Sequence, residues 1–154
     1  MLEKILNFIF LRPFRAGRAM KRFVAHMEGE LSDEFLETLL GLMGLVFCLS
    51  PEFRRNIEGF SGIYVFRTRD GAVAASAVFS NGRLKKCDKA VAGADIEITF
   101  RDGRTLMDFF FAPKPDVLTA MLKQDITLNG NLNYLYKFAY TANHLRLKVR
   151  ELLG

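Results

Sequence analysis

Tryptophan is absent from this 154-residue chain, and cysteine and histidine are limited to two residues each. Cys48 and Cys87 have no CxxC spacing and fall in different segments. That arrangement argues against a disulfide framework and a thiolate zinc site and points to reduced thiols. His26 and His144 stand without HExxH or any short metal-ligand spacing; each lies among polar or basic helical neighbours and reads as a solvated surface histidine. A nucleophile elbow is missing as well. The nearest string, Gly59-Phe60-Ser61-Gly62, is not GxSxG and precedes a strand instead of following one, so it reads as a turn. No glycine-rich phosphate loop follows a strand, since Gly41 and Gly44 fall inside a helix, where they permit close packing. Carboxylates are scattered, with none set beside a nucleophile in an apolar pocket. Catalysis, a cofactor and a bound metal are therefore not expected.

Long apolar runs are also lacking. The longest uncharged stretch, Thr38 to Pro51, is shorter than the roughly 20 residues a bilayer-spanning helix needs. The stretch Ile5 to Leu11 is interrupted by Asn7, followed at once by Arg12, and carries no small-residue cleavage pattern, so export is not expected and a cytoplasmic setting is.

What is present is phenylalanine, fifteen residues of it, in a chain that is 50% hydrophobic and carries a net charge of +5. Such a composition supports a sizeable core. Four helical segments are expected before any strand. Residues 2 to 11 place Leu2, Ile5, Leu6 and Ile9 on one face, widened by Phe8 and Phe10. Pro13 restarts the helix. Ala16, Met20, Phe23, Val24, Met27 and Leu31 then form an apolar stripe, with Arg15, Arg18 and Arg22 opposite and Lys21 near the edge. Ser32 is the expected N-cap of a third helix through Leu49, and Ser50-Pro51 caps and opens a short fourth.

Strands follow. Asp70-Gly71 separates Ile63–Arg69 from Ala72–Ser80, and Asn81-Gly82 separates that strand from Leu84–Asp88; both dipeptides suit turns whose central residues need positive φ. The string ADIEITF, ending at Phe100, alternates strictly, with Ile96, Ile98 and Phe100 on one face and Glu97 and Thr99 on the other. Alanine is poorly suited to strands, so Ala75 and Ala77, between Val73 and Phe79, leave space above the sheet for a closely packed helix or for a ligand. Asn129-Gly130-Asn131 reads as a helix cap, with an anion-holding turn as the sharper alternative.

The order of ADIEITF, two short apolar helices, ITLNGN and the aromatic helix LNYLYKF resembles the sterol carrier protein 2 family, over roughly residues 53 to 145. The resemblance implies an α+β fold, a five-stranded, largely antiparallel sheet covered by helices, in which residues 51–154 form the lipid-binding domain and residues 1–50 a helical, amphipathic and basic extension. It also implies an apolar tunnel for a sterol, fatty acyl chain, isoprenoid or quinone intermediate. Ala75, Ala77, Phe79, Ile96, Ile98, Phe100, Phe109, Phe110, Leu118, Met121, Leu122, Leu128, Leu132, Leu135 and Tyr136 would line it. The small bacterial members that assist ubiquinone biosynthesis look most similar. Lys123-Gln124-Asp125 departs from the Gly-Lys usual in the family before the ITL strand, and the last helix continues to about Leu153, where Asn143 and Arg146 suggest that its end leaves the core.

Charge points to an anionic partner. Lys4, Arg12, Arg15, Arg18, Lys21 and Arg22 are contiguous with the first apolar helix and have no acidic residue among them. An anionic membrane surface is the expected partner, with Ile5, Phe8 and Ile9 inserting beside Arg12, Arg15, Arg18, Lys21 and Arg22; packing of that helix on its own domain is the alternative. Biosynthetic enzymes are further candidate partners. Nucleic acid is not, because Tyr64 and Phe66, although interleaved with Arg67 and Arg69, alternate like core residues and no RNP motif accompanies them. The rival to a lipid carrier is a protein-interaction subunit of an enzyme complex without its own ligand.

Overall fold

The computed structural model describes residues 31–112 and 116–153. The expected helices before residue 31, His26 and the proposed membrane-binding residues Ile5, Phe8, Ile9, Arg12, Arg15, Arg18, Lys21 and Arg22 lie outside them.

Helix α1 (Leu31–Leu49) begins one residue before the expected cap at Ser32. Leu36, Leu40, Met43 and Phe47 recur at helical spacing and are fully buried. At Gly44 this helix lies against the sheet edge with room for a methyl group, which would sit at an ordinary 3.7 Å from the Leu84 carbonyl oxygen. Ser50 caps α2 (Pro51–Arg54), accepting a hydrogen bond from the Phe53 amide, with Pro51 at the first helical position as its sequence requires. A 3-10 turn, Arg55–Ile57, follows. Arg54 closes the preceding helix by donating from Nε to the Phe47 carbonyl (2.7 Å) and from Nη2 to that of Cys48 (3.0 Å).

The sheet comprises β1 (Gly62–Thr68), β2 (Ala74–Ser80), β3 (Arg83–Cys87), β4 (Ile96–Phe100) and β5 (Ile126–Gly130), in the order β3-β2-β1-β4-β5. Every neighbouring pair is antiparallel except β1 and β4. Asn81 and Gly82 both take positive φ (51° and 69°), giving the tight hairpin expected of Asn-Gly. The Asp70-Gly71 connection is wider than a two-residue turn, because the Thr68 amide and hydroxyl both bond Val73 and close a larger loop. The chain from β3 to β4 crosses behind the sheet, where the buried Ser76 hydroxyl donates to the Lys89 carbonyl and accepts from the Val91 amide.

Asp102 caps α3 (Gly103–Phe111), Asp116 caps α4 (Val117–Leu122), and α5 spans Leu132–Leu153. The Asn131 side chain accepts from the Asn133 amide at the start of α5, as the cap reading of Asn129-Gly130-Asn131 expects. One cluster of buried apolar side chains runs from α1 through the sheet to α3 and α5. Helix α1, which lies before residue 50, supplies Leu36, Leu40, Met43 and Phe47 to the cluster that holds Phe66 and Ile98.

Candidate functional site

Alternation along the strands puts Ala75, Ala77 and Phe79 of β2, Tyr64 and Phe66 of β1, and Ile96, Ile98 and Phe100 of β4 on the helix-facing side, all buried. Over them lies a layer of rings centred on Phe138 of α5. Its centroid is 5.1 Å from Phe66, 5.3 Å from Tyr64 and 5.7 Å from Phe110. Phe79 and Phe100 extend the layer at either end, Phe79 at 5.4 Å from Tyr64 and Phe100 at 5.7 Å from Phe109. Register explains the small residues of β2: Ala77 pairs with Tyr64 and Ala75 with Phe66, so each alanine lies beside a large ring on the neighbouring strand. Both alanines are buried and belong to the core cluster.

Leu135 is fully buried, Phe109 nearly so, and Phe110 and Leu128 pack against the same cluster. The remaining expected lining residues do not join them. Leu118, Met121 and Leu122 are 65%, 39% and 77% exposed, and Leu132 and Tyr136 lie on the outer face of α5. Of the six residues of α4, only Val117 is buried and Ala120 packs against the core, so Leu118, Met121 and Leu122 are left toward solvent. A cavity between α3 and α5, lined by Phe109, Phe110, Ala139 and Ala142 and by Asn143 and Arg146, measures 40 Å³, far below the several hundred that a lipid-sized ligand occupies. Among the described residues, this ring layer covers the helix-facing side of the sheet.

Phe138, Tyr64 and Phe66 are the central residues that the list of lining positions missed. The signal for Phe138 was its spacing of three from Leu135, which places both on one helix face. Two further expectations are corrected. His144 is not a solvated surface residue; its Nδ1 is 2.8 Å from Asn56 Nδ2 and its ring 5.3 Å from Phe53. The end of α5 does not leave the core at Asn143 and Arg146, since Leu145 between them and Lys148 beyond them are buried, with Lys148 Nζ donating to Glu52 Oε2 at 2.5 Å. That hydrogen bond holds the Glu52 carboxyl below the usual carboxylate range. Tyr64 shows the opposite influence: burial, assisted by Tyr134 and Asp95, pushes its phenol upward.

Among the described residues no group of three or more His, Cys, Asp or Glu could hold a metal, and no single helix is long and apolar enough to cross a membrane.

No protein-family profile and no curated protein matches the sequence. Among solved structures, a UbiJ-SCP2 ubiquinone synthesis protein superposes on 70% of this chain and 94% of its own length, with a TM-score of 0.52 at 12% identity. The chain has the sterol carrier protein 2 fold. A sterol carrier protein 2 from Yarrowia lipolytica also aligns, at 16% identity over 79% of this chain and 94% of its own, with a TM-score of 0.48. The inverting sec-alkylsulfatase Pisa1 from Pseudomonas sp. matches 57% of this chain at 20% identity and a TM-score of 0.51; the chain spans 14% of that enzyme's length.

Proposed function

We propose that this protein binds and carries a hydrophobic lipid, a sterol, fatty acyl chain, isoprenoid or quinone intermediate, without catalysing its conversion. The ring layer around Phe138 carries the reading: in a sterol carrier protein 2 fold, a continuous apolar surface is held between sheet and helices by aromatic side chains, not by a polar network. Rings turning about two side-chain bonds adapt to a guest at less entropic cost than longer flexible chains. Lipid entry would displace Phe110 and Phe138 from the contacts described above and open the 40 Å³ space between α3 and α5. An accessory role in ubiquinone biosynthesis is the specific form of this proposal, supported by the likeness to the UbiJ-SCP2 protein.

The setting we propose is the cytoplasmic face of an anionic membrane. Arg12, Arg15, Arg18, Lys21 and Arg22 would each contribute about 1 kcal/mol near such a surface while Ile5, Phe8 and Ile9 insert shallowly. Liposome flotation tests it: binding should require anionic lipid, weaken with salt and disappear in the R15E/R18E/R22E variant. Equal flotation on neutral and anionic vesicles would contradict it. The carriage itself is tested by offering the delipidated protein a sterol, a fatty acid, a phospholipid and a quinone in excess; failure to bind any of them would overturn it.

One observation favours a second reading. Leu118 and Leu122 of α4, and Tyr136, Tyr140 and Leu147 of α5, are more than half or half exposed, and the α5 residues share one helix face. Such a surface suits docking to a biosynthetic enzyme, with or without a lipid.

A further inference from the structure

A cleft of 630 Å³ lies outside the ring layer, between α2, the segment leading into β1 and the β2–β3 hairpin. Its chemistry is mixed. Arg54, Arg55 and Asn81 supply donors, Glu58 is the one carboxylate lining it, and Pro51 and Phe60 form an apolar wall. The Arg54 guanidinium is fixed by its two bonds to the end of α1, and its Cδ approaches Gly82, whose φ of +69° belongs to the hairpin turn. A guanidinium held by such contacts loses little further freedom on engaging an anion. Outside the cleft lining, Lys137 Nζ lies 4.5 Å from the centroid of the Phe60 ring.

Phe60 connects this cleft to the core. Its ring is 5.8 Å from Phe79 and 5.4 Å from Tyr134, so the apolar wall of the cleft is the outer margin of the aromatic layer. Positive charge beside an apolar wall that leads inward matches a molecule with an anionic head and an apolar body. We propose that this cleft binds the anionic head, a phosphate or carboxylate, of an amphiphile whose apolar part lies against Phe60. The inference rests on the carrier reading only in taking a lipid as the source of the head; a soluble phosphorylated molecule presents the same chemistry.

The test uses the full-length, isotope-labelled protein titrated with monomeric dodecyl phosphate, uncharged dodecyl maltoside and inorganic phosphate, following the backbone amides of Arg55, Phe60 and Gly82 by NMR. Dodecyl phosphate should move these amides, dodecyl maltoside should not, and Arg55→Glu should weaken dodecyl phosphate binding by about tenfold. The Arg55 side chain is exposed and the charge reversal should leave the melting curve unchanged. Inorganic phosphate moving the same amides as strongly would support the anion site and assign it to a soluble source. Unmoved amides, or equal affinity in wild type and Arg55→Glu, would overturn the proposal. Lipid content is read separately: protein that copurifies with lipid yet ignores dodecyl phosphate at this cleft refutes the head site and leaves carriage standing.

Discussion

The Tyr64 hydroxyl donates a 2.8 Å hydrogen bond to the backbone carbonyl of Tyr134, tying the central strand to the first turn of the last helix. Tyr64→Phe removes that bond while keeping the ring in its place against Phe79 and Phe138, and should lower stability by about 1 kcal/mol in chemical denaturation. Its pH dependence is equally specific. Because burial raises the phenol above its ordinary value of 10.0, the unfolded chain ionises first as pH climbs. The contribution is complete below about pH 10 and declines above it. Wild type should therefore lose stability on the alkaline side more steeply than Tyr64→Phe; parallel curves would contradict the buried phenol.

Enlarging Ala77 or Ala75 to Leu should destabilise the unliganded protein by about 1–3 kcal/mol, because Tyr64 and Phe66 already occupy the space beside them. Both variants should also hold less lipid. Melting temperatures equal to wild type would mean that the alanines face room that the rings do not use.

Glycines should divide sharply. Gly130 has a φ of +124°, and a Cβ there would overlap the Asp95 carbonyl, so Gly130→Ala should cost about 2–4 kcal/mol. Gly44→Ala meets only ordinary contacts inside a helix and should raise stability by up to about 1 kcal/mol. Denaturation midpoints of the two variants decide the matter.

Gln124 occupies a left-handed conformation, φ 58°, in the connection between α4 and β5. Its amide bonds the Met121 carbonyl and the next amide bonds that of Ala120, which fixes the turn despite the side chain. Relief of that strain predicts that Gln124→Gly is stabilising by up to about 1 kcal/mol, measured by thermal melts.

How much was readable in the sequence follows from how local each feature is. Asn81-Gly82, Ser50-Pro51 and the alternation of Ile96, Ile98 and Phe100 depend on a few neighbouring residues, and each appears where its chemistry places it. The five-stranded sheet was legible for the same reason. Its parallel β1–β4 pair was not, since it joins residues separated by two hairpin strands and a loop. Distance in sequence also concealed the Asn56–His144 contact and the approach of the Asn81-Gly82 turn to Arg54 that forms the cleft. For Leu118, Met121 and Leu122 the resemblance implied a lining position; the orientation of so short a helix is set by tertiary contacts that no local pattern records.

The most direct test is native mass spectrometry of the full-length protein purified without detergent, followed by organic extraction. Carriage predicts a stoichiometric hydrophobic molecule on wild type and reduced occupancy in Ala77→Leu. A folded wild-type protein that emerges empty, and stays empty after incubation with sterol, fatty acid, phospholipid and quinone, would contradict it.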